Sequence, residues 1–333
     1  MVSYCCIIYE NSYRGAIINP FKFSNDNKRY HTLAYHNKLT GDKSKKAVID
    51  AGMTCPNIDG AKGRGGCIYC DGGSGYFTGK PEVSITEQLE AERDRINIRT
   101  PDVKITAYFQ AHTNTYCSPV KLRSMLDEAL ATGIPDSIAI ATRPDCLSNR
   151  AIDVLKEYSE KLPLCLELGL QTANDDTAKL INRCYDFEVF RSNFLKLKSA
   201  GIRTCVHIID GLPGETHDDM LFTAQKLAEL KPDGIKIHLL HVIKDTKLAD
   251  MWNDGEYEPM SFEDYVETVI DQLEVLPPEI VIERITGDAD KTKLLAPMWS
   301  KDKIRVLGTI DKRMSLRDTW QGRLYQSESE ESL

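Results

Sequence analysis

The sequence lacks an apolar run that could cross a membrane. Across its 333 residues, no stretch approaches the roughly 18 consecutive apolar residues that a membrane helix needs. The beginning of the chain has no basic leader and no small-residue cleavage site. We therefore expect a cytoplasmic protein that makes no membrane contact.

Cysteine is also sparse. The chain has 10 cysteines among 333 residues, which is far below the density of a small scaffold held together by disulfides. In a protein without an export signal, such cysteines are best interpreted as reduced thiols or metal ligands.

Net positive charge is absent, because 50 acidic residues outnumber 42 basic ones. This balance argues against a general nucleic-acid coat protein but leaves room for a local basic patch. Residues 22–46 form such a patch, which is either a solvated face or a phosphate-binding surface: Lys22, Lys28, Arg29, Lys38, Lys43, Lys45 and Lys46. A second basic group closes the chain: Lys301, Lys303, Arg305, Lys312, Arg313, Arg317 and Arg323.

From residue 47, short β-branched runs alternate with longer amphipathic stretches, which predicts right-handed βαβ units and a parallel sheet. Six strands are predicted, over residues 47–50, 103–109, 137–141, 164–170, 203–210 and 234–242. Six units are too few for a closed eight-stranded barrel, so the fold class is α/β, with a partial parallel (β/α)6 barrel. A further strand is predicted over residues 277–286.

The same pattern predicts one main domain with additions at both ends. The expected division is an N-terminal extension with the basic segment (1–46), the barrel core (47–245), a C-terminal α/β extension that packs on the barrel (246–324) and a disordered acidic tail (325–333).

Three cysteines follow the first predicted strand at close spacing. Eleven residues separate Cys55 from Cys67, and two separate Cys67 from Cys70. Three thiolates can hold zinc if a fourth ligand arrives, or a [4Fe–4S] cluster with one iron left open. The glycines at 60, 63, 65 and 66 would let the loop fold tightly around a cluster, and the chain has no second paired-cysteine motif for zinc. The residues favour the cluster and leave zinc as the alternative.

The chain resembles the radical S-adenosylmethionine (SAM) enzymes, and within them the YhcC/YtqA-like branch related to the elongator catalytic subunit. The resemblance covers about residues 19–324 and rests on an ordered set of phrases: AGMTCPNIDGAKGRGGCIYC, ATRPDCL, LELGLQTAND, INR, HIIDGLPGET, KIHLLHV and ERITGDAD. Three positions depart from the elongator pattern. Ala141 stands where elongator-type relatives carry a glutamate that contacts SAM; Cys184-Tyr185 replaces their Gly-His pair, and KDT near residue 245 replaces their KGT.

The resemblance implies a partial barrel of the radical SAM type, a [4Fe–4S] cluster on Cys55, Cys67 and Cys70, and SAM as second cofactor. It also implies a set of SAM contacts. Tyr69 would pack on the adenine, Gln110 would lie near the methionine moiety, and His207 would touch the nucleoside. Glu167, Gln171 and Arg183 would hold ribose and carboxylate.

The branch further implies tRNA modification at the C5 side chain of the wobble uridine, from carboxymethylaminomethyl to aminomethyl. It implies a tRNA partner and an electron donor such as flavodoxin or ferredoxin. Two alternatives stay open from the residues: a radical SAM enzyme acting on a small molecule or a protein, and a non-catalytic, metal-stabilised nucleic-acid-binding module.

Overall fold

The structure is a computed structural model and describes residues 28–71, 80–110 and 112–326. The predictions for residues 1–27 and 327–333 lie outside the described residues. In the described part of the chain, no helix combines the length and the apolar character that crossing a membrane requires.

One parallel sheet organises the described residues, in the strand order β1-β2-β3-β4-β5-β6-β8. Its strands are β1 Ser44–Ile49, β2 Lys104–Phe109, β3 Ser137–Thr142, β4 Leu164–Gln171, β5 Arg203–Asp210, β6 Gly234–Leu239 and β8 Val281–Ile285. A small antiparallel pair, β7 Val242–Ile243 and β9 Leu294–Ala296, lies beyond β6. The predicted partial parallel barrel is confirmed, and the further strand expected over residues 277–286 joins it as a seventh strand.

Helices alternate with the strands along the chain. They are α1 Leu33–Thr40, α2 Ile85–Arg99, α3 Pro119–Ala131, α4 Asn149–Ser159, α5 Asp175–Leu180, α6 Phe187–Ser199, α7 His217–Leu230, α8 Lys247–Asn253, α9 Phe262–Val275 and α10 Lys303–Leu316. N-terminal capping residues determine where these helices begin. Ser84 forms a capping box with Glu87 before α2, and Ser118 caps α3 with Pro119 in its first turn.

The sheet curls, as a buried ion cluster shows. The Glu167 carboxylate on β4 accepts hydrogen bonds from Lys46 on β1 and Lys236 on β6, each with an Nζ–O distance of 2.5 Å. In a flat sheet, β1 and β6 would lie about 24 Å apart, because neighbouring strands are spaced by about 4.8 Å. One carboxylate contacts both lysines only because the strands close into a half-barrel, with these side chains on its concave face.

Lys46 is therefore not part of a basic surface, and the sequence-based expectation for this residue is wrong. In β1, alternate residues face opposite sides of the sheet, which turns Lys46 inward while Lys45 stays exposed. The second basic group is also partly neutralised, since Arg313 on α10 and Arg317 just after it form ion pairs with Glu267 on α9.

Candidate active site

The loop after β1 places the three predicted metal-ligating cysteines together. The Cys55 carbonyl accepts hydrogen bonds from the backbone N–H groups of Ile58 (2.8 Å) and Asp59 (3.1 Å). A tight turn joins the other two cysteines, with the N–H of Cys70 donating to the carbonyl of Cys67 at 2.9 Å. Burial raises the pKa of Cys67 to about 11, against the opposing effect of Arg143 and with a smaller contribution from the Cys70 thiol.

Glycines make this loop possible. Gly60, Gly65 and Gly66 have positive φ angles, which side chains rarely tolerate. Gly63 is required for space, because a Cβ there would lie 2.7 Å from the Cys184 sulfur. The predicted tight loop is thus present around the cysteines.

Two asparagines fasten the cysteine loop to the segment after α5. The Asn57 amide donates to the carbonyl of Asn182 at 2.6 Å and lies 3.8 Å from the Cys67 sulfur. In return, the Asn182 amide donates to the carbonyls of Gly66 (2.7 Å) and Arg64 (3.0 Å). Sequence reasoning missed both residues, although the INR phrase that contains Asn182 was singled out.

A second tie links the loop to the turn after β3. Lys62 pairs with the Asp145 carboxylate at 2.8 Å, and Arg143 binds the same carboxylate through two N–H groups at 3.0 Å each. Burial would raise the pKa of Asp145, but the Arg143 guanidinium and Lys62 lower it. Asp145 therefore stays ionised and holds two cations under the cysteine loop.

All nine predicted site residues line one cavity of about 260 Å³ at the C-terminal ends of the strands. They are Cys55, Cys67, Tyr69, Cys70, Gln110, Glu167, Gln171, Arg183 and His207. Ligand-contacting groups of parallel barrels gather at this edge. The structure thus brings the predicted set together; the role of each residue toward a cofactor stays a prediction.

Glu167 is 2 % exposed and is fully engaged by protein groups. Besides Lys46 and Lys236, Tyr108 donates to it at 2.6 Å, and a ring nitrogen of His207 lies 3.0 Å away. Burial would raise the pKa of Glu167, but the two lysines hold it well below its usual range. The carboxylate is therefore ionised and organises the floor of the cavity.

Arg183 is 1 % exposed, and its guanidinium is likewise engaged. It donates to the backbone carbonyls of Leu170, Thr172 and Tyr185, and lies 3.7 Å from the Asp175 carboxylate. These contacts give Arg183 a role in shaping the loops at the cavity edge. A direct contact with SAM stays a prediction and would require one of these bonds to be exchanged.

Tyr185, a departure from the elongator pattern, has a defined place in the cavity. Its hydroxyl donates to the carbonyl of Gly169 and lies 3.3 Å from the Gln171 side-chain oxygen. Gln171 has a φ angle of 64°, so the chain turns sharply where β4 ends. A Cβ at Gly169 would lie 2.5 Å from the Gln171 amide nitrogen, which shows how closely this amide covers the strand end.

The donor set fits a [4Fe–4S] cluster. Such a cluster is held by thiolates on three irons and leaves the fourth open for another ligand. Three thiols around one cavity, in a glycine-rich loop, match that requirement.

Comparisons with known proteins agree with this arrangement. The model of the radical SAM superfamily matches residues 60–227, and that of the radical SAM C-terminal domain matches residues 232–315. The uncharacterized protein YtqA of Bacillus subtilis is 45% identical over 316 residues, covering 94% of this chain and 98% of that protein. The tRNA uridine(34) acetyltransferase of Methanocaldococcus jannaschii is 27% identical over 162 residues, covering 48% of this chain and 29% of that protein.

Among solved structures, an archaeal Elp3 from Methanocaldococcus infernus with an N-terminal deletion superposes with a TM-score of 0.65 at 19% identity. The match covers 84% of this chain and 65% of that chain, and at this identity it shows the fold alone. The resemblance inferred from the ordered phrases is thereby confirmed. The chain belongs to the radical SAM superfamily, whose members use a [4Fe–4S] cluster and SAM.

Proposed function

We propose that this radical SAM enzyme modifies the C5 side chain of the tRNA wobble uridine and converts carboxymethylaminomethyl to aminomethyl. The observation that supports the radical chemistry is the single cavity lined by Cys55, Cys67 and Cys70 together with the predicted SAM contacts. The partial likeness to a tRNA uridine(34) acetyltransferase supports the tRNA substrate. In this conversion the carboxymethyl carbon gives one hydrogen atom to the SAM-derived radical and one electron back to the oxidised cluster. Water then adds to the resulting iminium ion, and the N–C bond breaks to release the two-carbon fragment as glyoxylate and leave the aminomethyl group.

When bound, the cluster and SAM supply a carbon-centred radical that removes a hydrogen atom from the substrate. The protein binds and orients the cofactor and the substrate, and it excludes water from the radical. In this proposal the three cysteines hold the cluster, and Tyr69 packs beside it. Gln110 and Gln171 orient SAM. A one-electron donor of the flavodoxin or ferredoxin type reduces the cluster. The wobble base is unpaired, so it enters the site without the free-energy cost of opening a duplex.

The positions of the exposed lysines suggest where tRNA phosphates bind. Lys43 precedes β1, and Lys45 is the second residue of that strand. The cysteine loop begins after the other end of β1, so about 15 to 20 Å of extended chain separates both lysines from the start of the loop. Lys244 and Lys247 are exposed and lie after β7, beside Ile243, which lines a cavity next to the cysteines. These two rim lysines are better placed for phosphates that flank a base in the active site.

Paired variants test this placement and the tRNA partner together. Each lysine that contacts a phosphate contributes about 0.9 to the slope of log affinity against log salt. We expect the Lys244→Gln/Lys247→Gln variant to flatten that slope by up to about two contacts for tRNA. The matched Lys43→Gln/Lys45→Gln variant should leave the slope unchanged.

Three outcomes separate the possibilities. If only the Lys43/Lys45 variant shows a flatter slope, the tRNA phosphates contact the N-terminal basic segment and not Lys244 and Lys247. No salt-dependent binding of tRNA to the parent protein would favour the alternative of a small-molecule or protein substrate. A colourless protein without iron after anaerobic purification and reconstitution would favour the non-catalytic zinc module.

A further inference from the structure

A second cavity adjoins the cysteine cavity. It has a volume of about 300 Å³ and lies at the ends of β5 and β6. The two cavities share Tyr69, Gln171 and His207 in their walls. A ligand in the second cavity would therefore lie directly beside whatever occupies the first.

Three histidines line the second cavity. The ring centroids of His207 and His238 are 5.1 Å apart, and His241 lies three residues after His238 in the chain. Burial lowers the pKa of all three, that of His241 to about 4, so the rings are neutral near pH 7. The Nε2 atom of His238 is buried and has no hydrogen-bond partner within the described residues.

Aspartates from two loops also line this cavity. Asp71 pairs with Lys293 at 3.2 Å, and Asp288 pairs with Arg284 and Lys303. Asp290 differs from both, because its carboxylate accepts hydrogen bonds from the N–H and the hydroxyl of Thr292, and both reach Oδ1. Its Oδ2 atom has no hydrogen bond among residues that the structure describes.

Gly287 lies against both histidines: a Cβ there would lie 3.3 Å from Cε1 of His241 and 3.5 Å from Nδ1 of His238. The cavity is thus lined by neutral imidazole groups and by the Asp290 carboxylate, whose Oδ2 has no hydrogen bond among the described residues. Neutral imidazole can donate a hydrogen bond to a carboxylate, and an aspartate can accept one from a protonated amine.

We infer that this histidine–aspartate cavity binds the modified side chain of the substrate, with its secondary ammonium group on Asp290 and its carboxylate on His238. This assignment rests on the proposed function, because the carboxymethylaminomethyl group carries an ammonium and a carboxylate a short distance apart. A metal ion is a poorer occupant, since within the described ranges no three ligand side chains group closely enough to hold one.

The test uses reconstituted holoenzyme and synthetic anticodon stem-loops that carry either carboxymethylaminomethyl-uridine or plain uridine at the wobble position. Asp290→Asn and His238→Gln each remove one proposed contact, and Gly287→Ala narrows the cavity between the histidines. Asp153→Asn, on the exposed face of α4, is the matched control. Hydrogen bonds to charged groups are worth enough to change Kd by about 10- to 100-fold.

We expect Asp290→Asn and His238→Gln to weaken binding of the modified stem-loop by that factor, while binding of the plain stem-loop and SAM cleavage without substrate stay at parent values. Gly287→Ala should raise KM for the modified stem-loop with little change in iron content. Equal losses for both stem-loops would mean a structural role and would overturn the inference, as would parent-like binding in every variant.

Failure of the proposed function gives a different result. If the parent enzyme neither prefers nor converts the modified stem-loop, the tRNA substrate is wrong and the assignment of this occupant falls with it. If the parent converts the modified stem-loop and the Asp290 and His238 variants do so with unchanged KM, only the cavity assignment is wrong.

Discussion

Glu167→Gln is the substitution whose effect follows most directly from the structure. It keeps the shape of the side chain but removes the charge that compensates Lys236 and Lys46. The Lys236 side chain is 6 % exposed, so water cannot replace the lost partner. Breaking a buried ion pair by removing one partner costs about 3–5 kcal/mol. At about 2 °C per kcal/mol for a chain of this size, we expect Tm to fall by about 6–10 °C.

The assay is thermal unfolding of anaerobic holoenzyme, followed by far-UV circular dichroism at one scan rate. Glu157, which pairs with Arg123 and Lys161 at the surface, supplies a matched control, and Glu157→Gln should leave Tm almost unchanged. Adding Lys236→Met to Glu167→Gln should recover part of the loss, because the double variant no longer buries an unpaired ammonium group.

The pH dependence of this difference has a definite sign. The pKa of Glu167 is lowered in the folded protein, so its charge stabilises the fold above the unfolded-state pKa, near 4.3. That stabilisation is lost as the pH falls through the lower, folded-state pKa. The Tm gap between the parent and Glu167→Gln should therefore be full at pH 7 and shrink below about pH 4. An equal gap at pH 7 and pH 3.5, or no gap at pH 7, would refute the reasoning.

Three further predictions concern the cluster loop and one buried carboxyl. Cys67→Ala should lose the cluster and SAM cleavage, whereas Cys117→Ala should keep about four irons per chain by iron analysis; the reverse pattern would mean that the ligands are misassigned. Gly63→Ala should reduce cluster content, and adding Cys184→Ala should restore part of it, because the new Cβ would lie 2.7 Å from that sulfur; no recovery would contradict the packing argument. Burial raises the pKa of Asp210 to about 7, so the neutral carboxyl is favoured in the fold and stability should fall as the pH rises from 4 to 7. Asp210→Asn should therefore raise Tm at pH 8 more than at pH 4, and thermal unfolding at both values checks this.

The strands and the cysteine loop could be predicted because their signals are local. Buried strands appear as short β-branched runs, and the spacing of Cys55, Cys67 and Cys70 is visible in a single stretch of sequence. Parallel topology then places the ends of all strands at one edge. The resemblance to the radical SAM enzymes assigned residues as far apart as Cys55 and His207 to one site, and this topology explains why they line the same cavity.

The partners of these residues could not be predicted, because they depend on the curl of the sheet. Glu167 lies 121 residues from Lys46 and 69 from Lys236, and nothing near any of them in sequence indicates the contact. For the same reason, Lys46 looked like one lysine of a basic segment. A period-two alternation applied to residues 44–49 would have turned it inward, had the strand been started at Ser44 instead of residue 47.

The second cavity was missed for a similar reason. The KIHLLHV and ERITGDAD phrases contain His238, His241 and Asp290, and they were noted only as marks of resemblance. Their proximity depends on how the loop after β8 folds back over the end of β6. Sequence alone assigns such a loop no position.

The central claim is tested most directly by anaerobic turnover of tRNA. Reconstituted holoenzyme, a one-electron reductant and SAM are incubated with tRNA that carries carboxymethylaminomethyl-uridine at the wobble position, and the nucleosides are analysed by mass spectrometry. We predict that this nucleoside disappears while aminomethyl-uridine and 5′-deoxyadenosine appear, and that the Cys67→Ala variant produces neither. Cleavage of SAM by the parent enzyme with no change in the tRNA nucleosides would contradict the account.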